Sequence, residues 1–279
     1  MSLEVLTISY TDPNAPELFE YSLKNSGFAV IKDHPIPPFL IETVYTDWET
    51  FFSNDDKNNY LYHEEKQDGY FPYLTENAKG YDTKDLKEFY HVYPWGRIPE
   101  IIGPSSLELY EALTNVASTL LGWIQNSTPS KVRNLFSIPL QEMIKGSLIN
   151  LFRVIHYPPI SGEEEKNAIR AAAHEDINLL TVLVAGSQPG LQVKDMDGKW
   201  HDVSCDKGTI VVNSGDMLKM ASNGYYPSTT HQVINPSATA NVSRYSMPLF
   251  LHPRDEVILS DEQTAGSFLK ERLEEIGLK

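Results

Sequence analysis

Ala171-Ala172-Ala173-His174-Glu175-Asp176 opens a stretch that continues through Thr230-His231-Gln232 and closes on Arg244-Tyr245-Ser246-Met247-Pro248-Leu249-Phe250-Leu251-His252-Pro253. Inside and just ahead of it, short apolar runs alternate with turn residues: Leu148 to Tyr157, Leu179 to Val184, Leu191 to Lys194, Thr209 to Asn213, His231 to Asn235 and Arg244 to Leu251. Runs of this length bounded by turn signals read as strands. Asp197-Gly198, between Gln192-Val193 and Trp200-His201, signals a hairpin, because both central residues of a two-residue turn need positive φ. Several short strands at this spacing predict a sandwich or jelly roll.

Moving outward, Thr264 to Leu278 reads as an amphipathic helix with Phe268, Leu269, Leu273 and Ile276 turned inward, and Pro104 to Trp123 as the longest helix, burying Leu107, Leu109, Leu113, Val116, Leu120 and Leu121. A short helix follows around Pro139 to Ile144. At the N-terminal end, Leu3 to Ile8 and Gly27 to Ile31 read as strands, Pro16 to Leu23 and Pro37 to Phe52 as helices, the second with Phe39, Ile41, Val44, Trp48 and Phe52 on one face. Ser53 to Gly103 is polar, rich in Tyr and Phe, and without clear periodicity. It reads as a long connection packed by its own aromatics or as a functional segment, since long structureless loops are uncommon without a role. The expected organisation is an N-terminal α/β lobe with its aromatic connection over 1–103 and a helix-supported β domain over 104–279.

At 279 residues the chain can bury a sizeable core, roughly three quarters of its unfolded surface. A formal charge of −15, from 23 basic against 38 acidic residues, argues against a nucleic-acid partner, which needs clustered Lys and Arg. No apolar run approaches the roughly 18 residues of a membrane span. The single cysteine, Cys205, reads as a packed thiol and offers no disulfide framework. With no signal-like N-terminus, a cytoplasmic setting is expected.

The chemistry lies in the opening stretch. His174 and Asp176, two apart, point the same way in an extended strand, while Glu175 points away. With His231 at the head of a later strand they supply two imidazoles and a carboxylate, the facial set that holds non-haem Fe(II) and leaves positions open. A structural zinc site would be closed and typically thiolate-rich. Arg244 and Ser246 share a face of a mainly apolar strand, and a guanidinium beside a hydroxyl suits a carboxylate. If Asn235 to Val242 is a hairpin loop, that strand runs beside the one carrying His231.

The order His-x-Asp, His, Arg-x-Ser resembles the isopenicillin N synthase-like family of 2-oxoglutarate and Fe(II)-dependent oxygenases. Nearly the whole chain takes part. Phe28-Ala29-Val30-Ile31-Lys32-Asp33-His34-Pro35-Ile36, Asp68-Gly69-Tyr70, Asp85-Leu86-Lys87-Glu88-Phe89, Arg153-Val154-Ile155-His156-Tyr157-Pro158-Pro159 and the segment from Asn223 to His231 are similar to its remaining motifs. The resemblance implies a distorted double-stranded β-helix (jelly roll) core flanked by helices, with His174, Asp176 and His231 on the iron. It implies Arg244, Ser246 and Tyr157 on the distal carboxylate of 2-oxoglutarate, with O2 as oxidant and ascorbate as an accessory reductant. The implied activity is a dioxygenase that hydroxylates, desaturates or cyclises a small molecule, releasing succinate and CO2.

Three positions depart from the family pattern. Ile155 stands where relatives often have Asn, Gln232 follows the second metal His where Arg is usual, and His156 should turn away from Tyr157 in a structural role. Two alternatives remain open at this point: an isopenicillin N synthase-like oxidase whose Arg-x-Ser pair binds the substrate's own carboxylate without 2-oxoglutarate, and a silent β-sandwich binding protein. Candidate substrate residues are Arg153, Tyr70, Phe71, Tyr73, Lys87 and Tyr90. A free Arg153 or Lys87 would favour a carboxylate-bearing substrate, and an internal salt bridge would remove that preference.

Overall fold

The structure, a computed structural model, describes residues 3–78, 80, 82–204 and 206–275. Twelve strands run in chain order: β1 Thr7–Ser9, β2 Phe28–Lys32, β3 Gly69–Phe71, β4 Glu88–Val92, β5 Leu151–Tyr157, β6 Ala171–His174, β7 Leu180–Val184, β8 Leu191–Lys194, β9 Trp200–Asp202, β10 Ile210–Ser214, β11 His231–Val233 and β12 Arg244–Leu251. The helices are α1 Ala15–Ser26, α2 Pro38–Ser53, α3 Ser105–Ser127, α4 Ser130–Arg133, α5 Leu140–Ile144, α6 Asp216–Ala221 and α7 Ala265–Glu275. An eight-stranded sheet, ordered β1-β2-β10-β7-β12-β5-β4-β3, faces a four-stranded one, β6-β11-β8-β9. Only the β1–β2 pairing is parallel among the described strands.

Strand alternation divides the core into two layers. Ala29 and Ile31, Phe152 and Val154, Val182 and Val184, and Ile210 and Val212 join Phe19, Trp48, Leu113 and Leu120 of the helices in one cluster. The residues between them, Phe28, Val30, Ile155, Tyr157, Leu183 and Val211, meet Leu191, Val193 and Val233 of the smaller sheet in a second. Because side chains alternate with period two, each central strand of the large sheet carries apolar residues on both faces, which is why these runs show no regular apolar–polar alternation. Burying each such side chain contributes about 1.5–3 kcal/mol, so strand order and register are strongly specified.

The helices on the outer face follow from apolar spacing: α3 buries Leu109, Leu113, Val116, Leu120, Leu121 and Ile124. Helix α1 stops at Gly27, whose φ of 73° is left-handed and whose N–H bonds to the Leu23 carbonyl at 2.8 Å. A Cβ at Gly27 would also lie 2.3 Å from the Thr229 hydroxyl oxygen, so glycine permits both the helix stop and the close passage of the segment leading to His231.

Several expectations change. Residues 53–103 contain β3 and β4, which extend the large sheet beyond β5; all five residues of β4 are buried. Their aromatics point alternately to both faces, which hides any one-sided period. Strand β12 does not run beside β11: it pairs with β5 and β7 in the large sheet. Strand β11 is already flanked by β6 and β8, and β12, with Tyr245, Met247, Leu249 and Leu251 packed toward the helices, belongs where both faces are covered. The 234–243 connection therefore crosses between sheets. Phe39 is 69% exposed, because the buried stripe of α2 runs through Leu40, Ile41, Val44, Trp48, Phe51 and Phe52. Helix α7 buries Phe268; Cys205, Tyr81, Ile276 and Leu278 lie outside the described residues. No described helix is long and apolar enough to cross a membrane.

Candidate metal centre and carboxylate clamp

His174 ends β6 and His231 begins β11, directly opposite each other in the antiparallel pair, with ring centroids 4.4 Å apart. The register shifts within this pair, Val233 facing Ala171, a bulge of the kind that re-aims side chains at functional rims. Each imidazole is oriented by its own backbone: His174 Nδ1 lies 2.7 Å from the Ala172 carbonyl and His231 Nδ1 3.0 Å from the Thr229 carbonyl. A carbonyl accepts only, so both Nδ1 atoms carry the proton and both Nε2 lone pairs are free. Those Nε2 atoms lie 3.8 and 3.7 Å from Asp176 Oδ1.

The other carboxylate oxygen is fully engaged. Asp176 Oδ2 accepts from the Thr181 hydroxyl at 2.6 Å and the Asn213 amide at 2.8 Å. Thr181 and Asn213 face each other across β7 and β10, so the large sheet delivers both donors to one oxygen and leaves Oδ1 for the imidazoles. Asn178 backs the pair, its amide donating to the Thr181 hydroxyl at 3.0 Å.

Burial, then the neighbouring His231, pushes the His174 imidazole down to about 4, against the pull of Asp176. Burial opposes the Asp176 charge, but His231, His174 and the two hydrogen bonds outweigh it and hold the carboxyl below its ordinary range. Neutral imidazoles and an ionised carboxylate are the forms a metal needs. One ligand atom from each residue lies within 4.8 Å of the others, and three protein ligands on one side leave positions open, as non-haem Fe(II) requires. The donor set fits the iron.

Arg244 and Ser246 lie on the face of β12 turned toward the small sheet. Arg244 is fully buried; its Nε donates to the Gln188 carbonyl at 3.0 Å, while both terminal nitrogens are buried without a partner. The guanidinium sits 5.2 Å from the Tyr157 ring, and the two residues are Cα partners. A Cβ at Gly186 would come within 2.7 Å of Arg244 Nη2, so the absent side chain there is what leaves room for the head group. A buried guanidinium with two orphan nitrogens is costly without an anion, and the planar fork fits a carboxylate.

The candidate substrate residues divide. Tyr70 and Tyr90 belong to the outer core, their hydroxyls bonded to Glu88 and to the Arg97 carbonyl, so alternation turns them away from the triad. Tyr73 is 37% exposed. Phe71 packs in the layer between the sheets. Arg153 and Lys87 share Glu76, at 3.1 and 2.7 Å, and Lys87 also pairs with Asp85 at 2.9 Å. His91 Nδ1 donates to the Gln67 carbonyl, so its Nε2 accepts from Arg153 Nε at 3.0 Å. Both cations are internally neutralised. Among the departures, Gln232 bonds Gln192 at 2.9 Å, Ile155 packs between the sheets, and His156, on the helix side, bonds Glu88 and Ser243 and stacks on Tyr245.

The family model for the 2OG-Fe(II) oxygenase superfamily matches residues 148–253, and that for the non-haem dioxygenase in morphine synthesis N-terminal region matches residues 10–104. A structure from Shewanella oneidensis, solved as a candidate oxygenase, is 50% identical, covers 100% of both chains and superposes with a TM-score of 0.90. The chain belongs to the 2OG-Fe(II) oxygenase superfamily. A further superfamily structure, from Caulobacter crescentus, is 28% identical with a TM-score of 0.80 and covers 99% of this chain and 100% of its own. The 2-oxoglutarate-dependent dioxygenase 11 of rice is 27% identical over 84% of this chain, which spans 65% of that relative's length. The two facing sheets are the double-stranded β-helix of this superfamily, whose metal is Fe(II) and whose co-substrates are 2-oxoglutarate and O2.

Sequence reasoning missed Thr181, Asn213 and Gly186. The signal was a buried polar residue within each of two mainly apolar strands, Thr181 in β7 and Asn213 in β10, which a strand buried on both faces tolerates only when the group is bonded.

Proposed function

We propose that this protein is a 2-oxoglutarate-dependent Fe(II) dioxygenase acting on a small molecule by hydroxylation, desaturation or ring closure. In this reading His174, Asp176 and His231 hold the iron through Nε2, Oδ1 and Nε2. Arg244, Ser246 and Tyr157 hold the distal carboxylate of 2-oxoglutarate. When bound, the iron and 2-oxoglutarate supply oxidation by O2 with release of succinate and CO2. The chain's own work is to orient ligands, keep Asp176 ionised and enclose the site in a layer of apolar side chains.

The observation that carries the reading is the pair of unpartnered Arg244 nitrogens, fully buried beside Tyr157, in the same sandwich as the triad. Pairing of Arg153 and Lys87 with Glu76 supports a substrate that brings no free carboxylate to that wall. A cytoplasmic setting and the absence of a nucleic-acid partner remain our reading of the single cysteine and the charge of −15. The test is succinate formation coupled to 2-oxoglutarate consumption by Fe(II)-loaded protein, screened across candidate substrates. Oxidation of a substrate without 2-oxoglutarate consumption would move the clamp to the substrate's own carboxylate. Absence of Fe(II) binding would remove the enzyme reading.

A further inference from the structure

Arg170 stands one residue before β6 and four before His174. It is 1% exposed, among the largest fully buried side chains of the protein. Its Nη2 donates to the Val242 carbonyl at 2.6 Å, two residues before Arg244, and its Nε is buried without a partner. The side chain thus spans from the start of β6 to the head of β12. After burial itself, the groups that bear on its charge are Arg244 and Tyr157, the two clamp residues of the other sheet.

Two buried guanidiniums at the head of one strand, Arg244 itself and Arg170 reaching the Val242 carbonyl two residues before it, are an unfavourable arrangement for a protein to hold alone. Arg244 contributes two orphan nitrogens and Arg170 a third. Both guanidiniums keep buried nitrogens without a partner among the described residues, which is the arrangement an anion from outside the chain would complete. A main-chain carbonyl satisfies one N–H of Arg170 but not its charge. We propose that Arg170 is a second cationic anchor for the distal carboxylate of 2-oxoglutarate, setting the preference for a dicarboxylic 2-oxo acid over a monocarboxylic one of the same length. This rests on the 2-oxoglutarate reading of the Arg244 clamp and adds to it a residue outside the Arg-x-Ser motif.

The alternative role is structural, Arg170 serving only to tie the 234–243 connection to β6 through Val242. The two roles separate in a ligand comparison. Binding of 2-oxoglutarate and of 2-oxovalerate, in which a methyl group replaces the distal carboxylate, is measured by calorimetry on anaerobic Fe(II)-loaded wild-type, Arg170→Gln and Arg170→Lys proteins, with the melting temperature of each recorded. Wild type is expected to prefer 2-oxoglutarate. Arg170→Gln should lose roughly 10-fold or more of its 2-oxoglutarate affinity and leave 2-oxovalerate within about twofold, so that the preference shrinks. Arg170→Lys, which keeps the charge without the fork, should fall between, and it carries the test if the Gln variant does not fold. A preference unchanged in the variants, or equal weakening of both ligands, overturns the inference. Wild-type protein that shows no preference for the dicarboxylic acid would overturn the co-substrate reading beneath it.

Discussion

Replacing Thr181 by Val removes a hydroxyl and almost no volume. In the wild type that hydroxyl donates to Asp176 Oδ2 at 2.6 Å, beside the Asn213 amide at 2.8 Å. A hydrogen bond to a charged group contributes about 1.5–3 kcal/mol, and disturbing a group that orients a metal ligand typically costs about 10–100-fold in metal affinity. The two scales agree, because about 1.4 kcal/mol is a factor of ten. Asn178, which donates to the lost hydroxyl, keeps its 3.0 Å bond to the Leu180 carbonyl, so the vacancy does not spread far. The expected result is a 10–100-fold weaker Fe(II) dissociation constant, read by anaerobic titration, with the far-ultraviolet circular dichroism unchanged. Thr181→Ser, which restores the donor, should recover most of the loss. Fe(II) affinity within threefold of wild type in a folded Thr181→Val protein would refute the idea that the large sheet positions the ligand of the small one.

Other perturbations follow from the same geometry. His174→Ala or Asp176→Ala should abolish stoichiometric Fe(II) binding while the protein still unfolds cooperatively, since the triad serves the metal more than the core; retained affinity would discard the assignment. Arg244→Ala should raise the 2-oxoglutarate requirement by roughly 10–100-fold, and Gly186→Ala should do the same more weakly by displacing the head group that its Cβ would approach to 2.7 Å, both read as the concentration dependence of succinate release. Burial pushes the Glu76 carboxyl up, but Arg153 and Lys87 outweigh it and hold the group well below its ordinary range. That stabilisation is present above about pH 4.3, the unfolded value, and is lost as pH falls toward the folded one. Glu76→Gln should therefore be less stable at pH 7, by less than the roughly 3–5 kcal/mol of a broken fully buried pair, because the Glu76 side chain is 27% exposed. It should also lose stability less steeply on acidification, as chemical denaturation across pH would reveal.

What was legible in the sequence was whatever obeys a local period. Apolar runs gave β8 and β12 to the residue, the spacing of Leu109 to Leu121 gave α3, and Asp197-Gly198 marked the β8–β9 hairpin. The His-x-Asp pair and a lone later His named three side chains whose ligand atoms lie within 4.8 Å of one another. Pairing was not local. Whether β12 follows β11 in one sheet or crosses to the other is decided by what covers Tyr245, the rings of Phe52 on α2 and His156 on β5, far away in the chain. The partner of a charge is equally remote: nothing near Arg153 in sequence says that Glu76 neutralises it. Thr181 and Asn213 were invisible for the same reason, since nothing marks either as a partner of Asp176 until β7 and β10 are laid side by side.

The division of the site between sheets has a consequence for molecular length. His174 and His231 ride on the four-stranded sheet, Arg244 and Ser246 on the eight-stranded one, so the gap between the sheets works as a calliper. Facing sheets keep a separation of roughly 10 Å set by the side chains packed between them, here Ile155, Leu183, Val193 and Val233 among others. Under the proposed 2-oxoglutarate reading, trimming or enlarging those apolar residues would reset the jaws, and with them which chain length of 2-oxo diacid fits, without touching a residue assigned to its binding.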